Sequence, residues 1–178
     1  MNQIKNFSSI DIYSIKDNVF DMLNNEWMLI TAGVPEGYNT MTASWGGFGF
    51  LWRKPIATTY IRPQRYTFQF AEKHDTFSLS FFGKGYRKAL NFCGSKSGRD
   101  YDKALETGLT PVLTPNGNIA FQESRLIFDC KKLYADDIKP EFFIEKELDG
   151  SIYPTKDYHR FYIGEIVGCY AVGNLKNQ

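Results

Sequence analysis

Thr76-Phe77-Ser78-Leu79-Ser80-Phe81-Phe82 is the stretch of sequence that decides the fold. Large apolar residues alternate here with serines, and this period of two is typical of a β-strand with one buried face. A helix would instead repeat its apolar residues every three or four positions. We therefore predict a central strand over 76–82 whose Phe77, Leu79 and Phe81 side chains point together into the core.

Further strands are predicted on both sides of this stretch, with short helices between them. Extended segments rich in apolar and β-branched residues occur at Trp27–Gly33, Thr40–Trp45, Ile56–Ile61, Ile119–Tyr134 and Arg160–Val172. Helical spacing predicts helices over residues 14–25, 66–73, 86–93 and 100–107. Strands and helices do not alternate regularly, which favours an antiparallel β-barrel over a doubly wound parallel sheet.

Two connections complete the predicted fold. Gly46, Gly47 and Gly49 are expected to interrupt the chain after the Thr40–Trp45 strand, because glycine weakens a strand interior. Residues 136–157 are polar and are expected to form an irregular connection before the last strand.

Length and composition favour one domain that spans residues 1–178. Hydrophobic residues make up 43% of the chain and charged residues 23%, which are ordinary proportions for a globular protein. The first ten residues contain no apolar run of the kind found in secretory signals, so we expect a cytoplasmic protein. A net charge of +1 is too small to favour nucleic acid or a membrane surface as the main partner.

Motifs for several kinds of chemistry are missing from the sequence. Its three cysteines form no CxxC or Cys/His pattern, so we expect free thiols and no metal site. Cys93 would lie on the apolar face of a helix, where a packed thiol is expected. GxSxG, HExxH and the GxGxxG of dinucleotide-binding sheets are all absent, which leaves no support for a hydrolase triad or a Rossmann domain.

The first candidate site is a strand edge of mostly small and polar residues. It consists of Asn39, Thr40, Met41, Thr42, Ala43, Ser44 and Trp45. Small side chains allow a flat ligand to approach the backbone, whose N–H groups can then bind ring carbonyls and nitrogens. Threonine-rich strands are also common without any ligand, and this alternative stays open at this point.

Two further segments have the composition of an anion site. Arg62, Gln64, Arg65 and Thr67 lie where a predicted strand meets a predicted helix, and a helix N-terminus offers unpaired N–H groups that suit a phosphate. Lys96, Ser97 and Arg99 lie in a Gly/Ser-rich turn before the next helix. The alternatives are a capped helix with solvated arginines and a solvated loop.

His159 is a candidate catalytic residue. It is one of only two histidines, and it stands between aromatic residues where a loop enters the last strand. An isolated histidine can equally be structural.

In order along the chain, these segments resemble the flavin reductase-like family of FMN-binding split barrels. The resemblance covers roughly residues 19–172 and rests on six pieces: Asn39–Trp45, Lys54-Pro55, Arg62–Thr67, Ser97–Asp100 with Lys103, Thr107–Thr110, and His159 with Ile163-Gly164-Glu165. Each piece alone is weak, but six in the same order are specific to a family.

The resemblance implies an antiparallel split β-barrel that forms a homodimer with FMN near the subunit interface. By position, Asn39–Trp45 would line the flavin ring, whereas Arg62, Gln64, Arg65, Thr67, Ser97, Arg99 and Lys96 would be candidates for the phosphate end. His159 would lie beside the flavin or the nicotinamide. Hydride transfer requires no protein nucleophile, which agrees with the missing triad.

The function so implied is an NAD(P)H-dependent flavin reductase, an oxidoreductase that transfers electrons between a nicotinamide nucleotide and a flavin. NADH and NADPH both stay open, as do the final electron acceptor and whether FMN is bound tightly or exchanges as a substrate. One alternative is an FMN-carrying electron-transfer protein similar to flavoredoxin, which would serve a redox partner protein. Another is a cofactor-free barrel that acts as a binding module.

Overall fold

The computed structural model describes residues 1–173, and they form a mainly β structure with short helices. The strands are β1 (Asn2–Gln3), β2 (Phe7–Ser9), β3 (Met28–Val34), β4 (Gly37–Ala43), β5 (Gly46–Leu51), β6 (Lys54–Ile61), β7 (Thr76–Phe81), β8 (Pro111–Leu113), β9 (Ile119–Phe121), β10 (Leu126–Asp137) and β11 (Arg160–Val172). The helices are α1 (Val19–Asp21), α2 (Tyr66–Lys73), α3 (Arg87–Ser95), α4 (Lys103–Thr107) and α5 (Glu147–Ile152).

An eight-stranded antiparallel sheet forms the body of the protein. Its strands follow the order β4-β3-β7-β10-β11-β6-β5, and β2 pairs with β11 outside this path. β1, β8 and β9 form a second, three-stranded sheet. The predicted central position of 76–82 is confirmed, because β7 lies between β3 and β10.

Both faces of β7 are buried, although its sequence predicted one buried face. Phe77, Leu79 and Phe81 point into the main core as predicted, and each is at most 3% exposed. Ser78 and Ser80 on the other face are also fully buried. The reason is the smaller sheet, which covers this face: the Ser78 hydroxyl donates a hydrogen bond to the Ile119 carbonyl of β9.

The main sheet curls over its core without closing into a ring of hydrogen bonds. β4 and β5 are its two edges, so the barrel is split. Phe48 of edge strand β5 nevertheless reaches the core, where its ring centroid lies 6.2 Å from that of Phe81 and 4.9 Å from that of Phe128.

The predicted interruption at the glycines after Trp45 is wrong, because Gly46–Leu51 is strand β5 and pairs with β6 along its whole length. Gly46 explains why glycine stands here. A Cβ at this position would come within 2.8 Å of the Thr58 carbonyl oxygen and 3.1 Å of Met28 Cε. The glycine therefore permits close packing and does not end the strand.

The predicted helix over 14–25 is also wrong in its form. Residues 12–14 form a 3₁₀ turn, and the helix begins only after Asn18, whose side chain accepts hydrogen bonds from the Phe20 and Asp21 amides. It then widens into a π-helical turn over Met22–Glu26. By contrast, α2 and β11 have the predicted bounds.

The predicted polar connection over 136–157 contains a short 3₁₀ turn at Pro140–Phe142 and α5. Among residues 1–173, no helix is long and apolar enough to cross a membrane.

Candidate functional site

Edge strand β4 is the element from which the site is built. Its residues are held by α2, α3 and α4: the Asn39 amide donates to the Thr67 hydroxyl of α2 (2.7 Å), and the Thr42 hydroxyl donates to the Leu90 carbonyl of α3 (2.5 Å). The Thr40 carbonyl accepts a hydrogen bond from the Lys103 ammonium of α4 (2.9 Å). These contacts fix strand β4, and the residues that follow it, Ser44 and Trp45, are partly buried and exposed, respectively.

The end of β4 opens into a first cavity of about 210 Å³, which we call the Trp45 cavity. It is lined by Met41, Thr42, Ala43, Ser44 and Trp45 together with Tyr60, Arg62, Arg65 and His159. The walls therefore combine small side chains with aromatic rings, and two guanidinium groups reach the cavity. Asn39 and Thr40, at the other end of the predicted segment, line a different depression next to Tyr38.

His159 lies in the wall of the Trp45 cavity, where the sequence placed a candidate catalytic residue. Its imidazole is only 8% exposed, its ring centroid lies 4.9 Å from that of Trp45, and its Nδ1 is 2.9 Å from the Tyr153 hydroxyl. Burial lowers the pKa of His159 to about 4, and the nearby charge of Arg62 contributes. The imidazole is therefore neutral at pH 7 and offers one donor and one acceptor.

A second cavity of about 130 Å³ lies behind Arg65, and we call it the Ser97 cavity. It joins the two segments that the sequence singled out for an anion: Gln64, Arg65 and Thr67 on one wall, and Ser95, Lys96, Ser97 and Arg99 on the other. Arg65 lines both cavities, so the Trp45 and Ser97 cavities are neighbours.

The N-terminus of α2 points its free amides at the Ser97 cavity. Arg65 is the N-cap residue, but its side chain makes no capping bond. Among the described residues, the N–H groups of Tyr66 and Thr67 have no recorded acceptor. Unpaired amides at the start of an eight-residue helix, next to a buried threonine hydroxyl, suit an anion.

Lys103 was part of the family resemblance but was not among the candidate site residues. It is only 6% exposed, its Nζ donates to the carbonyl oxygens of Thr40 and Cys93 at 2.9 Å each, and it lines the Ser97 cavity. Burial has the largest effect on the pKa of Lys103, which is lowered to about 8; Cys93 opposes this shift and the charge of Arg65 adds to it. The signal in the sequence was the position of Lys103 after Ser97–Asp100, but the pattern of residues in its helix did not predict that the side chain is buried.

Arg65 shares this environment. Its guanidinium donates to the carbonyl oxygens of Gly94 (2.7 Å) and Cys93 (3.4 Å), and burial lowers its pKa. Within residues 1–173, Arg65 and Lys103 therefore have neutral carbonyl partners and no carboxylate. A buried positive charge without a countercharge is unfavourable, and an anionic ligand would compensate it.

Gly98 keeps the loop between Ser97 and α4 close to β4. A Cβ at Gly98 would overlap Asn39 Oδ1 and would lie 3.2 Å from the Tyr66 ring. Only glycine fits this approach, which holds the 95–99 loop against α2. The loop itself is shaped by Ser97, whose hydroxyl oxygen accepts the Arg99 N–H at 3.1 Å.

The remaining predicted residues have other neighbours. Arg99 is exposed, and its guanidinium carbon lies 4.7 Å from the centre of the Tyr66 ring. The exposed Lys96 ammonium lies 5.7 Å from the Tyr101 ring. Arg62 and Gln64 both donate to the Asp157 carboxylate, Arg62 at 2.6 Å. Arg62 thus points into the Trp45 cavity region and away from the Ser97 cavity.

Residues 21–178 match the family model described as the flavin reductase like domain. The chain belongs to this family. The predicted family is therefore confirmed, and with it the predicted fold class. No curated protein matches the sequence.

Three solved structures with the same fold are of proteins named for flavins or for flavin reduction. An FMN-binding domain of a flavin reductases-like enzyme from Shewanella baltica is 18% identical, with 94% of this chain and 78% of that chain covered and a TM-score of 0.67. Flavoredoxin of Desulfovibrio vulgaris is 21% identical, with 83% and 69% covered and a TM-score of 0.63. An NADH:FAD oxidoreductase of Streptomyces globisporus is 16% identical, with 82% and 74% covered and a TM-score of 0.62.

Proposed function

We propose that this protein binds FMN, with the flavin ring in the Trp45 cavity and the phosphate in the Ser97 cavity, and that it reduces flavin with NADH or NADPH. The observation that carries the proposal is the pairing of two adjacent cavities with different chemistry. One is walled by small and aromatic side chains, and the other by amides, hydroxyls and cations without countercharges. FMN consists of a flat ring joined to a dianionic phosphate by a short chain, so its two ends match the two adjacent cavities.

The residues of the Ser97 cavity fit the phosphate. Lys103 and Arg65 supply charge, and the Thr67 hydroxyl and the first amides of α2 supply donors. Each charge-assisted hydrogen bond contributes about 1.5–3 kcal/mol. Ser97 and Arg99 complete the opposite wall, with Lys96 at its rim.

At the ring end, the small residues of β4 allow the flavin to approach the backbone, and Trp45 and His159 flank it. When bound there, FMN would supply the hydride acceptor for NADH or NADPH, and the protein would supply the position of the ring and the exclusion of competing groups. His159 is neutral at neutral pH, so it can donate or accept one hydrogen bond as charge develops on the ring.

A second candidate function is that of an FMN-carrying electron-transfer protein without nicotinamide activity of its own. The fold shared with flavoredoxin of Desulfovibrio vulgaris favours it. In that case the Trp45 cavity would hold the same flavin, and a redox partner protein would take the place of NAD(P)H.

A homodimer forms part of the proposal. Trp45 beside the cavity is 46% exposed, and Phe50 and Trp52 at the tip of the β5–β6 hairpin are 63% and 55% exposed. A second copy would cover these aromatic side chains. A single domain over 1–178 and a cytoplasmic location stay predictions. Light scattering of the FMN-loaded protein should give the mass of a dimer, and a monomer mass would remove this part.

The experiment that tests the function is a spectrum followed by turnover. Purified protein is loaded with FMN, its visible absorption is recorded, and the anaerobic oxidation of NADH and of NADPH is measured with added free flavin. A flavin spectrum with turnover is the expected result. A flavin spectrum without turnover supports the electron carrier, and protein that binds no FMN contradicts both.

A further inference from the structure

The segment from Ile152 to His159 is fastened to the barrel by the side chains that follow β6. Arg62 makes three contacts with it: Nη1 donates to Asp157 Oδ2 (2.6 Å), Nη2 donates to the Ile152 carbonyl (3.0 Å), and the guanidinium carbon lies 5.2 Å from the centre of the Tyr153 ring. Gln64 Nε2 donates to the same Asp157 oxygen. Arg62 thus contacts the start of the segment, at Ile152 and Tyr153, and also Asp157 near its end.

Few other side-chain bonds hold this segment in place. Within the described chain, its other side-chain hydrogen bonds are local: Thr155 to Asp157, and Lys156 and Tyr158 to Asp149 of α5. Since α5 is itself an exposed helix without a buried residue, these bonds do not anchor the segment to the sheet. The anchoring contacts from side chains are those of Arg62 and Gln64.

The fastened segment carries the two residues that shape the ring end of the site. Tyr153 is 3% exposed, and its hydroxyl lies 2.9 Å from His159 Nδ1. This contact fixes the imidazole plane, so that His159 packs 4.9 Å from Trp45 in the wall of the Trp45 cavity. The backbone of His159 is held separately, because its carbonyl oxygen accepts the Ile138 N–H at 2.9 Å, so the segment governs the orientation of the imidazole.

We infer that Arg62 is a positioning residue, which with Gln64 holds the 152–159 segment so that Tyr153 fixes His159 in the Trp45 cavity. The inference rests on the proposed function for the meaning of that cavity. It assigns Arg62 to the ring end and leaves the phosphate to Arg65 and Lys103. Its guanidinium is already neutralised by Asp157, whereas Arg65 has only carbonyl partners.

The charged groups around His159 give this role a measurable signature. Arg62 lowers the pKa of His159 and Asp157 raises it, while burial has the largest effect. The other ring neighbours are Trp45, which has no titratable group, Tyr60, and Tyr153, whose pKa is raised by burial so that it is neutral at pH 7. Removing Arg62 leaves Asp157 alone and should raise the pKa of His159, whereas removing the charge of Asp157 should lower it.

The chain offers a direct readout, because it contains only two histidines. Imidazole NMR titration of the full chain reports on His159, and the other histidine, His74, lies at the C-terminal end of α2. The variants are Arg62→Gln, Arg62→Lys and Asp157→Asn. Arg125→Gln is the matched control, since Arg125 also pairs with carboxylates and has a similar side-chain exposure (29% against 26%).

We expect Arg62→Gln to raise the pKa of His159 by about one unit and Asp157→Asn to lower it. In FMN-loaded protein, Arg62→Gln should lower turnover about tenfold and shift its acid limb upward, while the ratio of FMN to riboflavin affinity stays within about threefold. Arg62→Lys keeps the charge and should restore part of the turnover. Arg125→Gln should change none of these quantities.

One combined result would overturn the inference. In Arg62→Gln, the ratio of FMN affinity to riboflavin affinity would fall tenfold or more while the pKa of His159 stayed unchanged. That is the behaviour of a residue that binds the phosphate. If Arg62→Gln does not fold, Asp157→Asn and Arg62→Lys decide the same question. The NMR titration needs no flavin. A protein that binds no FMN would thus contradict the proposed function separately, and an unmoved His159 in an active flavoprotein would contradict this inference alone.

Discussion

Arg62 and Arg65 stand three positions apart along the chain, yet their side chains enter chemically different regions of the molecule. Arg62 lies against the Asp157 carboxylate, so its charge is compensated within the protein. Arg65 lies against the Gly94 and Cys93 carbonyl oxygens beside the buried Lys103 ammonium, so positive charge accumulates there. The difference teaches that two nearby arginines can serve different purposes: Arg62 has its charge compensated within the protein, whereas the charge of Arg65 is available to the proposed phosphate.

The largest expected effect comes from removing the uncompensated cation. Arg65→Ala should weaken FMN about ten- to a hundredfold, because a charge-assisted hydrogen bond contributes about 1.5–3 kcal/mol and each 1.4 kcal/mol is about tenfold. Riboflavin lacks the phosphate and should lose much less. Titration of both flavins by fluorescence quenching measures the ratio, and Arg62→Ala is the comparison. Equal losses for both flavins would assign Arg65 to general packing.

The next prediction concerns the ring end. His159→Asn keeps a hydrogen-bonding side chain of smaller size but removes the imidazole beside Trp45. We expect the rate of hydride transfer to fall about tenfold, while FMN affinity stays near the wild-type value, because His159 lies outside the Ser97 cavity. Stopped-flow reduction of FMN-loaded protein by NADH or NADPH separates the two. An unchanged rate with bound FMN would make His159 structural.

Much of this architecture followed from the sequence where local pattern and tertiary contacts agree. The alternation around Leu79 identified the central strand, and the helical spacing at 66–73 gave α2 with its observed bounds. The predicted interruption at Gly46, Gly47 and Gly49 was wrong. Glycine weakens a strand in isolation, but here Gly46 permits close contact with Thr58 and Met28. That benefit depends on residues distant in sequence and is invisible to a local pattern.

The site was predicted unevenly for a similar reason. The sequence identified that the 62–67 and 95–99 segments suit an anion, and the structure brings Arg65 and Thr67 next to Ser97. It could not tell which way Arg62 points, because Asp157 is 95 residues away along the chain. Lys103 was not among the candidate site residues, since a lysine in a short helix is expected at the surface and only the packing of α4 on β4 buries it.

A smaller effect is expected from pH at the anion end. The pKa of Lys103 is lowered to about 8 in the free protein, and a bound phosphate dianion would raise it. Lys103 therefore takes up a proton when FMN binds above pH 8, so FMN affinity should be constant at lower pH and fall several-fold between about pH 8 and pH 10. Riboflavin should show no such decline. Lys103→Met should abolish the decline of FMN affinity above pH 8, so that both flavins show the same pH dependence. If the decline persists in this variant, Lys103 is not the titrating group.

The smallest effect is expected at the rim of the Ser97 cavity. Arg99 is exposed, and its guanidinium rests on the Tyr66 ring with a long 3.4 Å contact to the Gln64 carbonyl. Water screens an exposed charge, so Arg99→Ala should weaken FMN only about threefold, in line with the roughly 0.2–1 kcal/mol of exposed ion pairs. The same screening makes the effect depend on salt: it should vanish near 1 M salt, where charges are screened within about 3 Å, whereas the Arg65→Ala effect should persist. Titrating both variants with FMN at low and high salt measures this contrast. A salt-independent loss in Arg99→Ala as large as that in Arg65→Ala would place Arg99 inside the cavity, in direct contact with the phosphate.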